Sequence, residues 1–346
     1  MNLWKGTFLY MKRYKNSSKN AYGRKRALWK VVVGFIVFQF IFTLITAPLI
    51  VFYGPFTNLR KTVVGAAMTT LSHQWIAKTF LSDEKIQAIL NEGKIETIQQ
   101  DNSVIQFVNK HDSSVEVEEI SEGSKFNGYM IIVSDPTRVK VGYSSKLGTA
   151  GEMTSQIAKA NGAVAAINGG GFSDQTGSSI WTGTGGTPTG ILISGGKVIS
   201  NDLSSNTAKV DVMAFTSDGM LLVGPHSINE MTKLGVTEAI SFGPALIVNG
   251  KTTIKSGDGG WGIAPRTAIG QKKDGTILML VLDGRQTSSV GASLRDVQNI
   301  MLEYGAYNAT NLDGGSSTTM YYENEVLNNP CDPLGERSVP SIVYVK

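Results

Sequence analysis

Alternation of apolar runs with polar, glycine-rich breaks predicts three buried strands that each lead into a candidate site. Short apolar runs end at Asn168, Asp283 and Asp313, and glycine follows each of these polar residues. The run before Asp283 has six consecutive apolar residues, which is typical of a core strand. Ligands tend to bind beyond the carboxyl ends of strands in open parallel sheets. By analogy, the pattern indicates a ligand site formed by the three strand ends.

The rest of the chain predicts an α+β fold, in which a mixed β-sheet domain with a few packed helices follows an N-terminal transmembrane helix and a helical stalk. Helical spacing of apolar residues marks residues 62–93. Two further helices are predicted at residues 153–161 and from Ser293, a favoured N-cap, to just before Gly305. Hairpin signals of the Asp-Gly or Asn-Gly type separate strands at residues 217–219, 248–250 and 273–275.

A stretch of 23 uncharged residues, Val31–Tyr53, is long enough to cross a bilayer as a helix. Residues 1–30 carry nine Lys and Arg and no acid, whereas the other 23 Lys and Arg face 28 Asp and Glu. Since excess Lys and Arg stay cytoplasmic, we expect a single-pass protein of the cell membrane with a cytoplasmic N-terminus and an extracellular domain. A cleaved signal peptide, the alternative, would have a shorter apolar region of about 7–15 residues. The basic segment could instead bind nucleic acid, but its position beside the span makes topology the simpler account.

These features divide the chain into four parts. We expect a basic cytoplasmic segment, a transmembrane helix, a helical stalk with a linker, and a globular domain. Their boundaries are residues 1–30, 31–53, 54–125 and 126–346. The polar residues 94–123 form either a linker or an edge strand.

Composition narrows the chemistry that the globular domain can perform. Cys331 is the single cysteine, so an intrachain disulfide cannot form. The three histidines are scattered, which argues against a His-based zinc site and against a Ser-His-Asp triad. A divalent cation near Asp258, Asp283 and Asp313 stays open, but no carboxylate spacing resembles a calcium loop, so we assign neither a metal nor another cofactor. We therefore expect carboxylates, arginines, tyrosines or hydroxyls to carry the chemistry.

Two arginines beside the glycine-rich breaks, Arg266 and Arg285, indicate an anionic substrate group. A guanidinium is a planar fork that suits phosphate oxygens and stays charged. The glycines after Asn168 and Asp313 add backbone N–H groups that a ligand can approach closely. An arginine alone is more often part of a surface ion pair, but Arg266 leads directly into an apolar strand, which favours a place in the site.

Seven short motifs, taken in order, give the chain a resemblance to a known family. They are Asn168-Gly-Gly-Gly-Phe172, Gly190-Ile-Leu-Ile, Gly243-Pro-Ala-Leu-Ile-Val-Asn-Gly250, Arg266-Thr-Ala-Ile-Gly270, Asp283-Gly-Arg285, Asn311-Leu-Asp-Gly-Gly-Ser-Ser317 and Glu336-Arg337-Ser-Val-Pro340. From about Phe126 to Lys346, the chain resembles the phosphodiester glycosidase family. Ser316 stands where the family commonly has a third glycine, a change that leaves the aspartate in place. The membrane anchor and stalk lie outside the resemblance and suggest a bacterial surface version.

The resemblance implies hydrolysis of a sugar-1-phosphodiester at the glycosidic C1–O bond, which releases a sugar and a phosphomonoester. For this reaction we assign Asp313 as the carboxylate that stabilises the oxocarbenium-like centre, activates water or attacks as nucleophile, with Asp283 as the second carboxylate. Arg266, alone or with Arg285, would neutralise the leaving phosphate. Asn168 and Ser316 would orient sugar hydroxyls. The other expected substrate-binding residues are Gly169, Gly170, Arg285, Asn311, Gly314, Gly315, Ser317 and Glu336, the last being either a third acid or the ion-pair partner of an arginine.

Two other function classes stay open at the level of sequence. The domain could bind a phosphorylated or phosphodiester-linked glycan of the cell surface without turnover. It could also transfer the glycosyl group to an acceptor other than water during assembly of an envelope polysaccharide. The sequence determines neither the sugar nor the polymer, and it leaves open inverting or retaining chemistry and the oligomeric state.

Overall fold

The computed structural model describes residues 29–68, 73–91, 95–101, 103–108, 111–173 and 184–346. The chain divides into two compact units, the first ending at Arg60 and the second running from Lys61 to Lys346. Most of the basic segment that we expect to be cytoplasmic lies outside the described residues.

The first unit contains one long apolar helix, α1 (Trp29–Tyr53), of 25 residues. Its length and composition suffice to cross a membrane, although an N-terminal signal sequence would pass the same test. Most of its large apolar side chains, such as Phe35 and Phe38, are exposed rather than packed against protein. The helix therefore matches the predicted span and begins two residues before it.

After α1, three of the described helices precede the first strand, and three more lie between later strands. The remaining helices are α2 (Thr57–Met68), α3 (Trp75–Lys78), α4 (Asp83–Asn91), α5 (Thr154–Ala160), α6 (Ile228–Lys233) and α7 (Leu294–Glu303). The strands are β1 (Val115–Ser121), β2 (Asn127–Val133), β3 (Val139–Tyr143), β4 (Glu152–Met153), β5 (Ala165–Asn168), β6 (Phe172–Ser173), β7 (Thr187–Pro188), β8 (Ile191–Ser194), β9 (Lys197–Asn201), β10 (Val210–Thr216), β11 (Leu221–His226), β12 (Val236–Ser241), β13 (Ala245–Val248), β14 (Lys251–Thr252), β15 (Arg266–Lys272), β16 (Ile277–Leu282), β17 (Ala306–Leu312), β18 (Met320–Tyr322), β19 (Glu325–Val326), β20 (Ser338–Val339) and β21 (Ser341–Val345). The 3₁₀ turns are Pro136–Arg138 and Gly315–Ser317.

Three sheets carry most of the strands. The largest has the order β1-β2-β16-β15-β17-β13-β14, the second β11-β10-β12-β8-β9, and the third β19-β18-β5-β21-β3. All strand pairs within the described part of the chain are antiparallel. The predicted α+β class and the three predicted hairpin turns are confirmed, whereas the strand direction differs from that of the parallel sheets used as the analogy.

One apolar core joins the three sheets. It contains Ile269 and Met279 from the largest sheet, Phe215 from the second, and Ile167 and Val343 from the third. The opposite faces of the sheets pack against α7, α6 and α5, respectively. Since β16 is covered on both faces, its six residues are all buried, which explains why its sequence is continuously apolar instead of alternating.

Local sequence signals set the ends of α7, which packs behind the site. The Ser293 Oγ accepts a hydrogen bond from the backbone N–H of Asp296 at 3.2 Å, and the Asp296 carboxylate accepts from the Ser293 N–H at 2.9 Å. This capping box confirms the predicted helix start and stabilises it by about 1 kcal/mol.

The compact unit begins at Lys61, whereas the sequence places the start of the globular domain near residue 126. Ile95 forms a β-bridge with Ile254. The Gln100 side chain donates to the carbonyl of Leu221 and accepts from the N–H of Val223, both strand β11 residues, at 2.7 and 2.8 Å. Most of the segment predicted as stalk and linker therefore packs as part of the domain, and β1 is an edge strand of the largest sheet.

Candidate functional site

The candidate site lies at the edge of the largest sheet where β15 begins and its two neighbours end. Strand β15 pairs with β16 on one side and β17 on the other, with Arg266 opposite Leu282 and Thr267 opposite Leu312. Because β16 and β17 are both antiparallel to β15, they run in the same direction. Asp283 and Asp313 therefore leave the sheet at one edge, as the sequence pattern predicts.

Strand β5 of the third sheet brings Asn168 to the same place. The Asn168 Nδ2 donates to the backbone carbonyl of Asp313 at 2.6 Å, and its Oδ1 accepts from the Thr267 hydroxyl at 2.7 Å and the Thr319 N–H at 3.2 Å. In addition, the N–H of Asp313 donates to the Gly169 carbonyl at 3.2 Å. Asn168 is completely buried, so the expected contact with a sugar hydroxyl is not available to it. Its side chain instead fixes the backbone at Asp313.

Asp313 presents a half-buried carboxylate at the point where the two sheets meet. One of its oxygens, Oδ1, accepts a hydrogen bond from the N–H of Gly314 at 3.0 Å. The surrounding backbone is held on both sides by the bonds to Asn168 and Gly169. A partly exposed acid on a fixed backbone has the placement expected of a general base or nucleophile.

Asp283 occupies a different environment. Its Oδ1 accepts from the Asn328 side chain at 2.9 Å, and both carboxylate oxygens lie within 3.1 Å of the Asn329 backbone nitrogen. Burial raises the pKa of Asp283, while the hydrogen bonds from Asn328 and Asn329 act in the opposite direction. Asp283 is 8% exposed, and its carboxylate holds the chain that follows β19. These hydrogen bonds hold Asp283 in place, and its role as a second catalytic carboxylate stays a prediction.

Arg266 lies beneath the site and not on its surface. It is 4% exposed. Its Nε donates to the carbonyl of Ala292 at 3.0 Å, and its Nη2 donates to the carbonyls of Trp261 and Gly262 at 3.1 and 2.6 Å. Burial, together with the nearby charge of Arg285, lowers the pKa of Arg266 to about 10, so the side chain is still a cation at neutral pH. Arg266 thus donates hydrogen bonds to three loop carbonyls and places a buried positive charge beneath the site.

Two other arginines flank the turn after Asp313. The guanidinium of the exposed Arg285 lies over Gly315, where a Cβ added to the glycine would be 3.4 Å from the arginine Nη1. On the other side, the Arg337 Nη1 donates to the Ser316 Oγ at 2.9 Å, and its guanidinium stacks 4.9 Å from the ring centre of Phe172. Sequence reasoning did not assign Arg337 a role, although it forms part of the seventh motif.

The glycine N–H groups that were expected to bind the anion bond mainly to the protein itself. Those of Gly169 and Gly170 donate to the carbonyl and the hydroxyl of Ser341 at 2.9 and 3.3 Å. The N–H of Gly314 reaches the Asp313 carboxylate, and that of Gly315 donates to the Pro265 carbonyl at 2.9 Å. A Cβ on Gly169 would lie 2.6 Å from the Ser341 Oγ. Close chain packing, rather than close approach of a ligand, therefore accounts for glycine at this position.

The last three expected substrate contacts also have structural partners. Asn311 is buried, and its Nδ2 donates to the Gly243 carbonyl at 3.0 Å. Ser317 is buried in the 3₁₀ turn after Asp313. The Glu336 carboxylate accepts from the backbone N–H and the hydroxyl of Ser155 in the first turn of α5. Glu336 therefore holds the first turn of α5, and its role as a third acid or as an arginine partner stays a prediction.

The arrangement provides one accessible carboxylate and two accessible cations around a single turn. Asp313 can face the anomeric carbon of a sugar, while Arg285 and Arg337 can bind a phosphate beside it. Among the residues that the structure describes, no group of three or more His, Cys, Asp and Glu could hold a metal ion. A groove of about 450 Å³ lined by Lys272, Lys273 and Tyr307 lies at the opposite end of β15 and β17, away from this site.

Fold and site together define an α+β domain with a carboxylate and several arginines where two sheets meet. A model of the phosphodiester glycosidase family matches residues 161–346, more than half of the chain. The chain belongs to this family, which confirms the resemblance of its motifs.

The curated relatives are matched over limited stretches. N-acetylglucosamine-1-phosphodiester alpha-N-acetylglucosaminidase of Bos taurus is 28% identical over 194 residues, or 51% of this chain and 34% of that protein. The Homo sapiens protein of the same name is 36% identical over 70 residues, or 20% of this chain and 13% of that protein. The SPbeta prophage-derived uncharacterized protein YomE of Bacillus subtilis is 41% identical over 75 residues, or 22% and 12%. The chain thus spans about a third or less of the length of these relatives.

A solved structure shares the fold. It is the catalytic domain of zebrafish N-acetylglucosamine-1-phosphodiester alpha-N-acetylglucosaminidase, auto-inhibited by its pro-peptide. The TM-score is 0.58 at 22% sequence identity, and the alignment covers 74% of this chain and 92% of that chain.

Proposed function

We propose that this protein hydrolyses the glycosidic bond of sugar-1-phosphodiesters on cell-surface or exopolysaccharide-type glycans. Family membership supports the reaction type. The observation that carries the proposal is the half-buried Asp313 at the start of a turn in which Gly315 lies against the Arg285 guanidinium and the Ser316 Oγ accepts from Arg337. A carboxylate and two cations around one turn suit a substrate whose reacting carbon carries a phosphate.

In the proposed reaction, the C1–O bond to phosphate breaks and its electron pair stays on the phosphate oxygen. Water supplies the new oxygen at C1, and its proton moves to the Asp313 carboxylate. The departing phosphomonoester gains negative charge, which Arg285 and Arg337 stabilise from the protein surface. Since phosphate leaves readily once its charge is neutralised, no separate general acid is required. This agrees with the engagement of Asp283 and Glu336 in structural hydrogen bonds.

Arg266 supports this reaction from below. Its buried charge adds to the positive field of Arg285, and its hydrogen bonds fix the loop that ends at Pro265. The Pro265 carbonyl in turn holds the N–H of Gly315. In this proposal, Arg266 acts mainly by positioning the turn after Asp313, while the exposed Arg285 and the half-buried Arg337 contact the phosphate.

We further propose that α1 anchors the protein in the cell membrane, with the catalytic unit outside the cell. The apolar α1 and the basic residues before it support this orientation. The substrate would then be a phosphodiester-linked glycan of the cell envelope.

The test is hydrolysis of a sugar-1-(nitrophenyl phosphate) by the purified full-length chain in detergent, with product analysis by NMR. We expect the free sugar and nitrophenyl phosphate from the wild type. Asp313→Ala should lower kcat by about 100-fold or more with an unchanged melting temperature, the usual scale for a positioned acid or base. Asp313→Asn is the isosteric companion and should lose activity to a similar extent.

Each of the other outcomes would indicate a different function or a different role for Asp313. Glycosyl products that form only with an added acceptor glycan would identify a transferase, and saturable binding without product would identify a glycan-binding protein. Near-normal turnover by Asp313→Ala would show that Asp313 is not the catalytic carboxylate. Release of the retained anomer would mean that Asp313 attacks C1 itself instead of activating water.

A further inference from the structure

We propose that helix α2 is a positioning element of the active site, acting through Gly65 on the loop that holds Arg266. This inference rests on the proposed function for the part that Arg266 plays in the reaction, but its structural part can be tested separately. It concerns residues 62–68 of α2, which lie in the same compact unit as the site. We call the loop Gly259–Gly262 the glycine loop.

Gly65 lets α2 lie directly against the glycine loop. A Cβ at Gly65 would lie 2.5 Å from the Gly260 carbonyl oxygen and 3.0 Å from the Gly262 nitrogen. In the reverse direction, a Cβ at Gly262 would lie 2.7 Å from the Thr62 carbonyl oxygen and 2.9 Å from the Ala66 nitrogen. The two backbones are therefore in contact, and no other residue fits at either position without displacing one of them.

Other contacts fix this placement. On α2, Val64 and Ala67 are 0% and 5% exposed. A Cβ at Gly260 would lie 3.4 Å from the carbonyl oxygen of Leu90, in α4. Two helices from the N-terminal part of the unit thus approach the glycine loop, which explains its close packing.

The glycine loop leads directly to the site. The carbonyls of Trp261 and Gly262 accept the Nη2 hydrogen bonds of Arg266. The residue before Arg266, Pro265, accepts the N–H of Gly315 through its carbonyl at 2.9 Å. A displacement of α2 would therefore move two acceptors of Arg266 and the support of the turn after Asp313.

The consequence is that the segment between the candidate span and the sheets is required for activity rather than serving as a passive spacer. A fragment that begins near Ser121 lacks α2 and α4, and with them two supports of the glycine loop. Activity of the full chain should thus respond to substitutions that lie more than 190 positions before Arg266 along the chain.

The experiment compares full-length wild type, Gly65→Ala, Arg266→Ala and the double variant in detergent, by hydrogen exchange and steady-state kinetics. Alanine is the better helix former, so α2 itself should stay intact. We expect Gly65→Ala to raise amide exchange in residues 257–266 and 313–318 but not in β10 and β11. It should lower kcat by about 10- to 100-fold with a smaller change in KM, because a misplacement of about 1 Å has effects of this size.

Gly34→Ala is the matched control, since a Cβ at this glycine of α1 would meet no atom within 4 Å. It should change neither exchange nor kinetics. If Gly65 acts through Arg266, Gly65→Ala should change kcat by less than about twofold in the Arg266→Ala background, because effects that pass through a shared partner are not additive. Additive effects, or faster turnover by Gly65→Ala as expected for an inhibitory helix, would overturn the proposal.

The exchange data separate this inference from the proposed function. If the wild type has no turnover but Gly65→Ala still loosens residues 313–318, and does so only when Arg266 is present, the hydrolase assignment fails and the positioning role stands. Unchanged exchange in both segments would reject the positioning role, whatever the activity. A variant that loses protection throughout the unit is unfolded, in which case Ala66→Val, which enlarges a side chain on the same contact, replaces it.

Discussion

At the scale of residues, Asp283 and Asp313 have one sequence signature but different environments. Each follows a buried strand and precedes glycine. The Asp283 carboxylate accepts hydrogen bonds from Asn328 and Asn329, whereas Asp313 is half-buried and precedes the turn that Arg285 and Arg337 contact. The residues that cause this difference lie at least 45 positions beyond Asp283, so nothing in the local pattern could have distinguished the two acids.

Replacement of Asp283 by Asn should change the pH dependence of stability. Burial raises the pKa of Asp283 above its unfolded value of about 3.9. The native state therefore binds a proton that unfolding releases, and the free energy of unfolding falls as pH rises from about 4 through the raised pKa. The Asn variant lacks this titration, so the wild type should lose stability relative to it over that range.

Urea denaturation of both proteins at a series of pH values between about 4 and 7 measures this difference. Asp274→Asn, at a hairpin turn, is a suitable control for the loss of one negative charge. A stability difference between wild type and Asp283→Asn that stays constant with pH would contradict the prediction.

At the scale of elements, the site depends on how strands pair rather than on any one strand. The sequence predicts strands that end in Asn168, Asp283 and Asp313. Asn168 is the last residue of β5, and the two aspartates directly follow β16 and β17. Their meeting requires β15 between β16 and β17, and a junction of two sheets at Gly169. Pairing between strands that are far apart along the chain leaves no periodic pattern in the sequence, so the sequence could not predict it.

Gly169→Ala should destabilise this junction. Its Cβ would lie 2.6 Å from the Ser341 Oγ and 2.7 Å from the Ser341 carbonyl oxygen, which is backbone and cannot rotate away. We expect the free energy of unfolding to fall by about 1–3 kcal/mol, the usual cost of overpacking a core. Thermal or urea denaturation measures the change.

Gly270→Ala provides the comparison within β15. There, a Cβ would meet nothing closer than the Asn308 carbonyl oxygen at 3.2 Å, so the loss should be smaller. An equal or larger loss for Gly270→Ala would show that close contact with Ser341 does not determine the requirement for glycine at 169.

At the scale of the whole molecule, the chain combines a candidate membrane helix with a unit that extends further towards the N-terminus than the sequence indicates. The sequence predicts the apolar helix because length and hydropathy are local properties. The polar composition of residues 94–123 is compatible with a linker or an edge strand, because polar, mixed-charge segments can still bond to a sheet through backbone and amide groups. Gln100 and β1 are examples.

Protease treatment of intact cells that express the protein tests the proposed topology. We expect cleavage between α1 and the compact unit to release the catalytic unit, while an N-terminal tag stays protected until the cells are permeabilised. A cytosolic protein measured in the same cells controls for lysis. Protection of the catalytic unit in intact cells would indicate the opposite orientation in the membrane.

The sequence by itself determined the membrane-helix candidate, the α+β class, the family, and the cluster of motifs around Asp313. These follow from local composition, periodicity and short patterns. Only the tertiary structure decided that Asn168 bonds to the backbone of Asp313, that Asp283 bonds to Asn328 and Glu336 to Ser155, that Arg266 is buried, and that Arg337 contacts the turn after Asp313. The physical reason is that exposure and hydrogen-bond partners arise from segments far apart in the chain, and these decide whether a polar side chain supports the site or faces the substrate.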